Sequence, residues 1–148
     1  MRCAILLLTL VSLVLAAPGA PQDAPKRKIP CKTPENASMC YWTRGRLSVY
    51  NGNPPWRMWK VGTRRMLAIY SGPSKWPPRD IENTDSINPE FPENLKRAYQ
   101  PPAITAFPNV VFADFEICPL EPERPGVMQH ACIESAKNIF AQKWNESR

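Results

Sequence analysis

With 148 residues and one apolar run near its start, the chain has room for a single domain and none for a membrane bundle. Charged residues make up 22% and apolar ones 43%, ordinary globular values that argue against collagen, coiled coil and wholesale disorder. Eighteen prolines, more than twice the usual ~5%, argue against long helices, and the formal charge of +6 calls for an anionic partner or an internal counterweight.

Taken in chain order, residues 1–16 read as a signal peptide. Arg2 gives a positive start, and the run from Cys3 to Ala17 has the length of an h-region, short of the roughly twenty residues of a spanning helix. Val14 and Ala16, at the positions a signal peptidase reads, place cleavage near Ala16-Ala17, with an uncleaved anchor as the rival reading. A lipid on Cys31 is disfavoured because Lys26-Arg27-Lys28 separates it from the apolar run. Export follows, to a secreted or periplasmic location with no transmembrane segment after leader removal. Residues 17–39, rich in Pro, Lys and Ala without periodicity, read as a flexible arm pinned by Cys31.

Residues 40–148 read as a single disulfide-stapled β domain. Cys40 to Tyr50, Trp56 to Val61 and Arg64 to Tyr70, separated by Asn51-Gly52-Asn53-Pro54-Pro55 and Gly62-Thr63, predict a three-stranded meander. An irregular proline-rich insertion, residues 71–108, follows. A short helix is expected inside it, with Asn88 as cap and Pro89 at its first position, running towards Tyr99. Trp76, Ile81, Phe91, Leu95 and Tyr99 would dock the insertion on the body. Val110 to Ile117 predicts a strand. Met128 to Trp144 carries both helical and alternating spacings, and two short strands around Ser135-Ala136-Lys137 are favoured. The fold class is therefore mainly β, a small antiparallel sandwich or open barrel with one or two short helices.

Without Cys3, four cysteines remain: Cys31, Cys40, Cys118 and Cys132. In an exported chain they read as two disulfides with three pairings open, and the spacing suggests the local pairs Cys31 with Cys40 and Cys118 with Cys132. A body this small rarely gains more than about 3–5 kcal/mol from its core alone, so such staples matter. With one histidine, His130, and no C-x-x-C, neither a metal site nor a thiol redox centre is expected.

Charge is uneven. Lys26 to Arg65 holds ten basic residues and one acidic, Glu35, whereas from Met66 onward eight basic residues face eleven acidic ones. The halves could balance each other, or the first could present a basic face. Strand parity places Leu47, Val49, Trp59, Val61, Leu67, Ile69, Val111, Ala113, Phe115 and Ile117 inward. The opposite phase then shows Arg44, Arg46, Ser48 and Tyr50, then Trp56, Met58 and Lys60, then Arg64, Met66, Ala68 and Tyr70, and finally Val110, Phe112, Asp114 and Glu116.

From that face, Arg44, Arg46, Tyr50, Trp56, Lys60, Arg64 and Tyr70 are the candidate ligand-binding residues. Guanidinium forks suit sulfate, phosphate or carboxylate, and aromatic faces stack on sugar rings, so an anionic polysaccharide or acidic surface is the expected partner and nucleic acid is not. The bland counterpart has Trp56, Met58 and Tyr70 packed beneath the proline segment with the arginines solvated. Asp114 and Glu116, two apart on one strand, have the separation that glycoside hydrolysis requires, or else pair with Arg44 and Arg46 across the sheet. No phosphate-cradling glycine loop or serine nucleophile elbow occurs, so no cofactor is expected, and His130 reads as an ordinary polar residue.

Asn36-Ala37-Ser38 and Asn145-Glu146-Ser147 fit the N-glycosylation sequon in accessible loop and tail positions, with meaning only in a eukaryotic secretory pathway. The blocks Gly45-Arg46-Leu47-Ser48-Val49-Tyr50-Asn51-Gly52, Val61-Gly62-Thr63-Arg64-Arg65, Asp114-Phe115-Glu116-Ile117-Cys118-Pro119 and Cys132-Ile133-Glu134-Ser135-Ala136-Lys137-Asn138 resemble those of small secreted proteins, mostly bacterial. The resemblance implies export, carries no activity or site residue, and in a bacterium would empty the sequons of meaning. The functional expectation is a non-catalytic binding or envelope-associated module. The alternatives are a polysaccharide hydrolase using Asp114 and Glu116, and a structural protein without ligand.

Overall fold

A computed structural model of the chain describes Arg27 and residues 29–72, 89–99 and 109–143. These carry five strands, β1 (Tyr41–Val49), β2 (Trp56–Lys60), β3 (Met66–Tyr70), β4 (Val110–Pro119) and β5 (Gln129–Gln142), with a 3-10 turn at Ala37–Met39 and one helix, α1 (Glu93–Tyr99). The mainly β expectation holds, and the sheet closes completely: the order is β1-β2-β3-β5-β4, with β4 returning to β1. Every pairing is antiparallel except β3 with β5, whose connection runs through α1 and β4. Closure leaves no outer strand for a second chain to extend.

The meander forms where the turn residues predict it, but one strand has the opposite phase. Antiparallel partners share a face, and Leu47 lies opposite Met58 while Arg46 lies opposite Trp59. Met58 and Trp56 therefore point inward and Trp59 outward, reversing the parity expected for β2. The cause is the hairpin loop: Val49 pairs with Trp56, so odd positions of β1 oppose even positions of β2. Val49 and Val61 also differ from expectation, being exposed at strand ends, whereas Leu67, Ile69, Val111, Ala113, Phe115 and Ile117 are buried as parity requires.

Residues 129–142 form one strand and not two. Its register against β4 slips between Phe112 and Asp114 and again between Glu116 and Ile117, each slip leaving one extra residue on β5. Asn138 takes φ 52° at the first of these, a left-handed conformation that asparagine tolerates. The inward set thus becomes Ala131, Ile133, Ala136 and Ile139, because each bulge lengthens a step of two into a step of three. Helical-looking spacing in this stretch is the trace of bulges.

Helix α1 starts at Glu93, later than expected, with the Leu95 and Lys96 amides donating to the Pro92 carbonyl at 3.0 Å each. Pro92 disfavours helical geometry at Phe91, and Phe91 is instead driven into the end of the barrel. There it meets Trp56 and Tyr99 edge to face, with centroids 4.9–5.2 Å apart, a cluster that seals the core. Phe91, Leu95 and Tyr99 dock the insertion as expected; Asn88, Trp76 and Ile81 lie outside the described residues.

A second, smaller core lies outside the barrel wall. Ala68, Tyr70, Leu120 and the cysteines pack beneath the segment that precedes β1. The disulfides are Cys31–Cys132 and Cys40–Cys118, correcting the local pairing that sequence spacing suggested. Tyr41 pairs with Ile117, which brings Cys40 alongside Cys118, while the segment runs over β5 to put Cys31 on Cys132. The described part of the expected flexible arm is thus a fixed strap. Arg27 anchors it, its guanidinium donating to the carbonyls of Ile133 at 2.7 Å, Ser71 at 3.0 Å and Glu90. Burial lowers the Arg27 pKa, and Glu134 and Glu90 oppose that shift. Asn36 is fully buried, accepting from the Thr33 amide at 2.7 Å and donating to the Cys31 carbonyl at 2.8 Å. Its side chain builds the strap's turn and is not accessible as the sequon suggested; Asn145 lies outside the described residues.

A non-reducing peptide map is expected to recover Cys31 joined to Cys132 and Cys40 joined to Cys118; recovery of the two local pairs would refute the strap. Removing Cys40–Cys118 by double alanine substitution is expected to cost roughly 4 kcal/mol in urea unfolding, from the size of the loop released. A Cβ at Gly45 would sit 2.7 Å from Met58 Sδ and 2.9 Å from the Phe115 ring. Gly45→Ala should therefore destabilise by about 1–3 kcal/mol through overpacking, read as a lower urea midpoint.

Candidate binding face

Because β1 sits between β2 and β4, its outward residues form the centre of a continuous face. Trp42, Arg44 and Arg46 stand at alternate positions opposite Glu116, Asp114 and Phe112 of β4. On the other side Arg46 faces Trp59, and Ser48 faces Arg57. Phe112 in turn faces Phe140 of β5, their centroids 6.4 Å apart. Arg46 thus has an aromatic neighbour on each flanking strand.

The expected ligand-binding residues divide. Arg44 is exposed on this face but engaged, with Nη1 3.4 Å from Asp114 Oδ1 and 3.1 Å from the Asn138 carbonyl. Arg46 Nη1 donates to the Tyr50 hydroxyl at 2.8 Å, and Arg57 lies over the Tyr50 ring at 5.5 Å from its centroid. Lys60 stands opposite Gly45, away from the Arg44–Arg46 face, with Nζ 4.8 Å from the Tyr41 ring centroid and 3.4 Å from its hydroxyl. Arg64 is exposed in the β2–β3 turn. Two residues leave the set. Trp56, 6% exposed, belongs to the sealing cluster with Phe91 and Tyr99, as the packed alternative had it. Tyr70, 5% exposed, lies in the outer core edge-on to His130.

In their place the structure brings Trp42, Arg57, Trp59, Phe140 and Lys137. Trp59 is 42% exposed yet fixed, its Nε1 donating to the Thr63 carbonyl at 2.7 Å. Lys137 Nζ lies 4.2 Å from the Trp42 ring centroid. The signal for Trp59 and Arg57 was the hairpin loop length, which sets the β2 phase; the signal for Phe140 was hidden by the bulges in β5.

Among the described residues, several cations elsewhere are neutralised. Lys32 bonds Glu116 at 2.6 Å, Arg65 pairs with Glu123, and Arg124 reaches Glu121 at 3.1 Å. Arg46, Arg57 and Lys60 differ: among the described residues they reach no carboxylate, and their donors meet only tyrosine hydroxyls or the carbonyls of Pro54 and Asn51.

Asp114 and Glu116 share the outer face as their spacing requires. Asp114 accepts from Asn138 Nδ2 at 2.6 Å as well as from Arg44, and Glu116 accepts from Lys32 Nζ and, at 2.8 Å, from the Ser135 hydroxyl. The Asn138 hydrogen bond is the main cause holding the Asp114 pKa below the ordinary value, and the Lys32 hydrogen bond does the same for Glu116. Both carboxyls are held ionised, opposite to the raised affinity that a general acid needs. The expected partner Arg46 faces Phe112 and takes neither. His130 Nδ1 stands 2.9 Å from Glu121 Oε1. Among the described residues, no group of three or more His, Cys, Asp or Glu side chains could hold a metal ion, and no helix is long and apolar enough to cross a membrane.

Comparison with protein-family models, curated proteins and solved structures finds no match to this chain.

The Glu116 carboxyl titrates below the ordinary 4.5, so its contacts stabilise the fold fully above that pH and are lost as pH falls through the lower folded-state value. Glu116→Gln is expected to be less stable than the parent at pH 7, with the gap narrowing below pH 4.5. Urea midpoints measured across that range check it; a gap independent of pH would contradict the ion pair.

Proposed function

We propose that the chain is a non-catalytic binding module that takes an anionic partner on the outer face of the β1–β2 hairpin. The observation that carries this reading is the set of uncompensated cations there. Arg46 and Arg57 present guanidinium groups held by neutral acceptors, with the partly committed Arg44 on the same strand as Arg46 and Arg64 exposed in the β2–β3 turn. A guanidinium bound to a neutral oxygen keeps its full charge and exchanges that contact for a carboxylate, sulfate or phosphate at a gain. Architecture adds support: five-stranded Greek-key barrels commonly bind on strands 2 and 3 and the loops after strands 1 and 4, and Arg57 lies on β2 and reaches the Asn51 carbonyl in the loop after β1.

Two disulfides suit an oxidising compartment, and the apolar leader supports export to one. No observation favours the hydrolase alternative, since both carboxylates are committed to ion pairs and hydrogen bonds on an open strand face.

The test is retention on heparin resin under a salt gradient. A variant carrying Arg46→Ala, Arg57→Ala and Arg64→Ala is expected to bind about tenfold more weakly at moderate ionic strength and elute earlier. A control losing as many charges elsewhere, through Arg97→Ala, Arg124→Ala and Lys143→Ala, should elute close to the parent. Equal displacement of the two variants would leave only net charge and overturn the assignment of the face.

A further inference from the structure

The same face holds a feature that charge does not explain. Trp59, Trp42 and Phe140 are 42%, 46% and 60% exposed, and Phe112 lies between Arg46 and Phe140 in the strand register. Large aromatic groups left in water around cations cost free energy unless a partner covers them. Resting on the anionic-partner reading, we infer that the ligand is an acidic polysaccharide, its sugar rings stacked on Trp59 and its neighbour rings and its carboxylate or sulfate groups held by Arg46 and Arg57.

The row Trp59, Arg46, Phe112, Phe140 crosses four adjacent strands, β2, β1, β4 and β5. Because the sheet closes on itself, this row curves round the barrel wall, and a ligand that follows it wraps the outside of the barrel. A ligand matching this row must alternate flat C–H faces with anionic groups. Acidic polysaccharides do so along their whole length; a phosphate chain or an acidic peptide supplies the charge alone. Stacking sets the C–H bonds of a sugar face, slightly positive, against the negative face of an aromatic ring. The indole of Trp59 is suited to this because its hydrogen bond to the Thr63 carbonyl fixes it before any ligand arrives, so little side-chain freedom is lost on binding. Single-stranded nucleic acid also combines rings with charge. The disulfides favour the glycan, since they suit an exported chain, to which nucleic acid is not the expected polyanion.

The experiment is titration calorimetry of the full chain with a heparin oligosaccharide, with ring-free polyphosphate and with oligothymidylate, at one ionic strength. Trp59→Ala is expected to weaken heparin binding by about three- to tenfold and to leave polyphosphate binding unchanged, with Trp59→Phe restoring most of the loss. Phe140→Ala provides a second ring deletion at a site exposed enough to spare the fold, with thermal melting as the check on both. Unchanged heparin binding in both ring deletions would overturn the stacking inference while leaving the anionic face intact. Oligothymidylate bound more tightly than heparin, with the same dependence on Trp59, would overturn the choice of glycan. Failure of all three probes to bind the parent chain would remove the anionic reading together with this one.

Discussion

The antiparallel pairing of β1 with β4 is the contact on which the other features depend. It converts a three-stranded meander into a closed barrel, and by its register it decides what each side chain meets. Inside, it brings Leu47 against Val111 and Gly45 against Ala113; the missing side chain at Gly45 makes room for Met58 and Phe115. Outside, it sets Arg44 beside Asp114 and Arg46 beside Phe112, so that one arginine is neutralised and its neighbour is not. At the end of the ladder it delivers Cys40 to Cys118. A register shifted by one residue would turn the whole outer face inward.

The strap extends this economy to a small body. A barrel of this size has little apolar interior, and the chain adds a second cluster on the outside of β3, β4 and β5 with the strap as its cover. Cys31–Cys132 closes that cover, Asn36 shapes its turn, and Arg27 ties it to backbone carbonyls. The burial of Tyr70 is a consequence, and so is its loss from the candidate surface.

How much of this was readable in the sequence varies with the range of the interaction. The meander, the β4 strand and the docking of Phe91 and Leu95 follow from turn residues and local alternation, and these appear as expected. Arg44 and Arg46 share one side of β1, as alternation predicts, because the strand is regular from Tyr41 to Val49. Trp59 and Trp56 were exchanged because parity within β2 says nothing about its phase relative to β1; the hairpin loop decides that. Residues 129–142 do not show their single strand in the sequence because two bulges alter the period of alternation. The disulfide pairing is not legible from chain proximity because the strap carries Cys31 to β5 and Cys40 to β4 before joining β1.

The anchoring of Arg27 also bears on how proteases meet the chain at that residue. The sequence Lys26-Arg27-Lys28 is of the kind that trypsin-like proteases cut, and such an enzyme must draw the arginine side chain into its own specificity pocket. In the folded chain that guanidinium is occupied by the carbonyls of Ile133, Ser71 and Glu90. Scission after Arg27 in the folded chain would first require that side chain to be withdrawn from all three carbonyls.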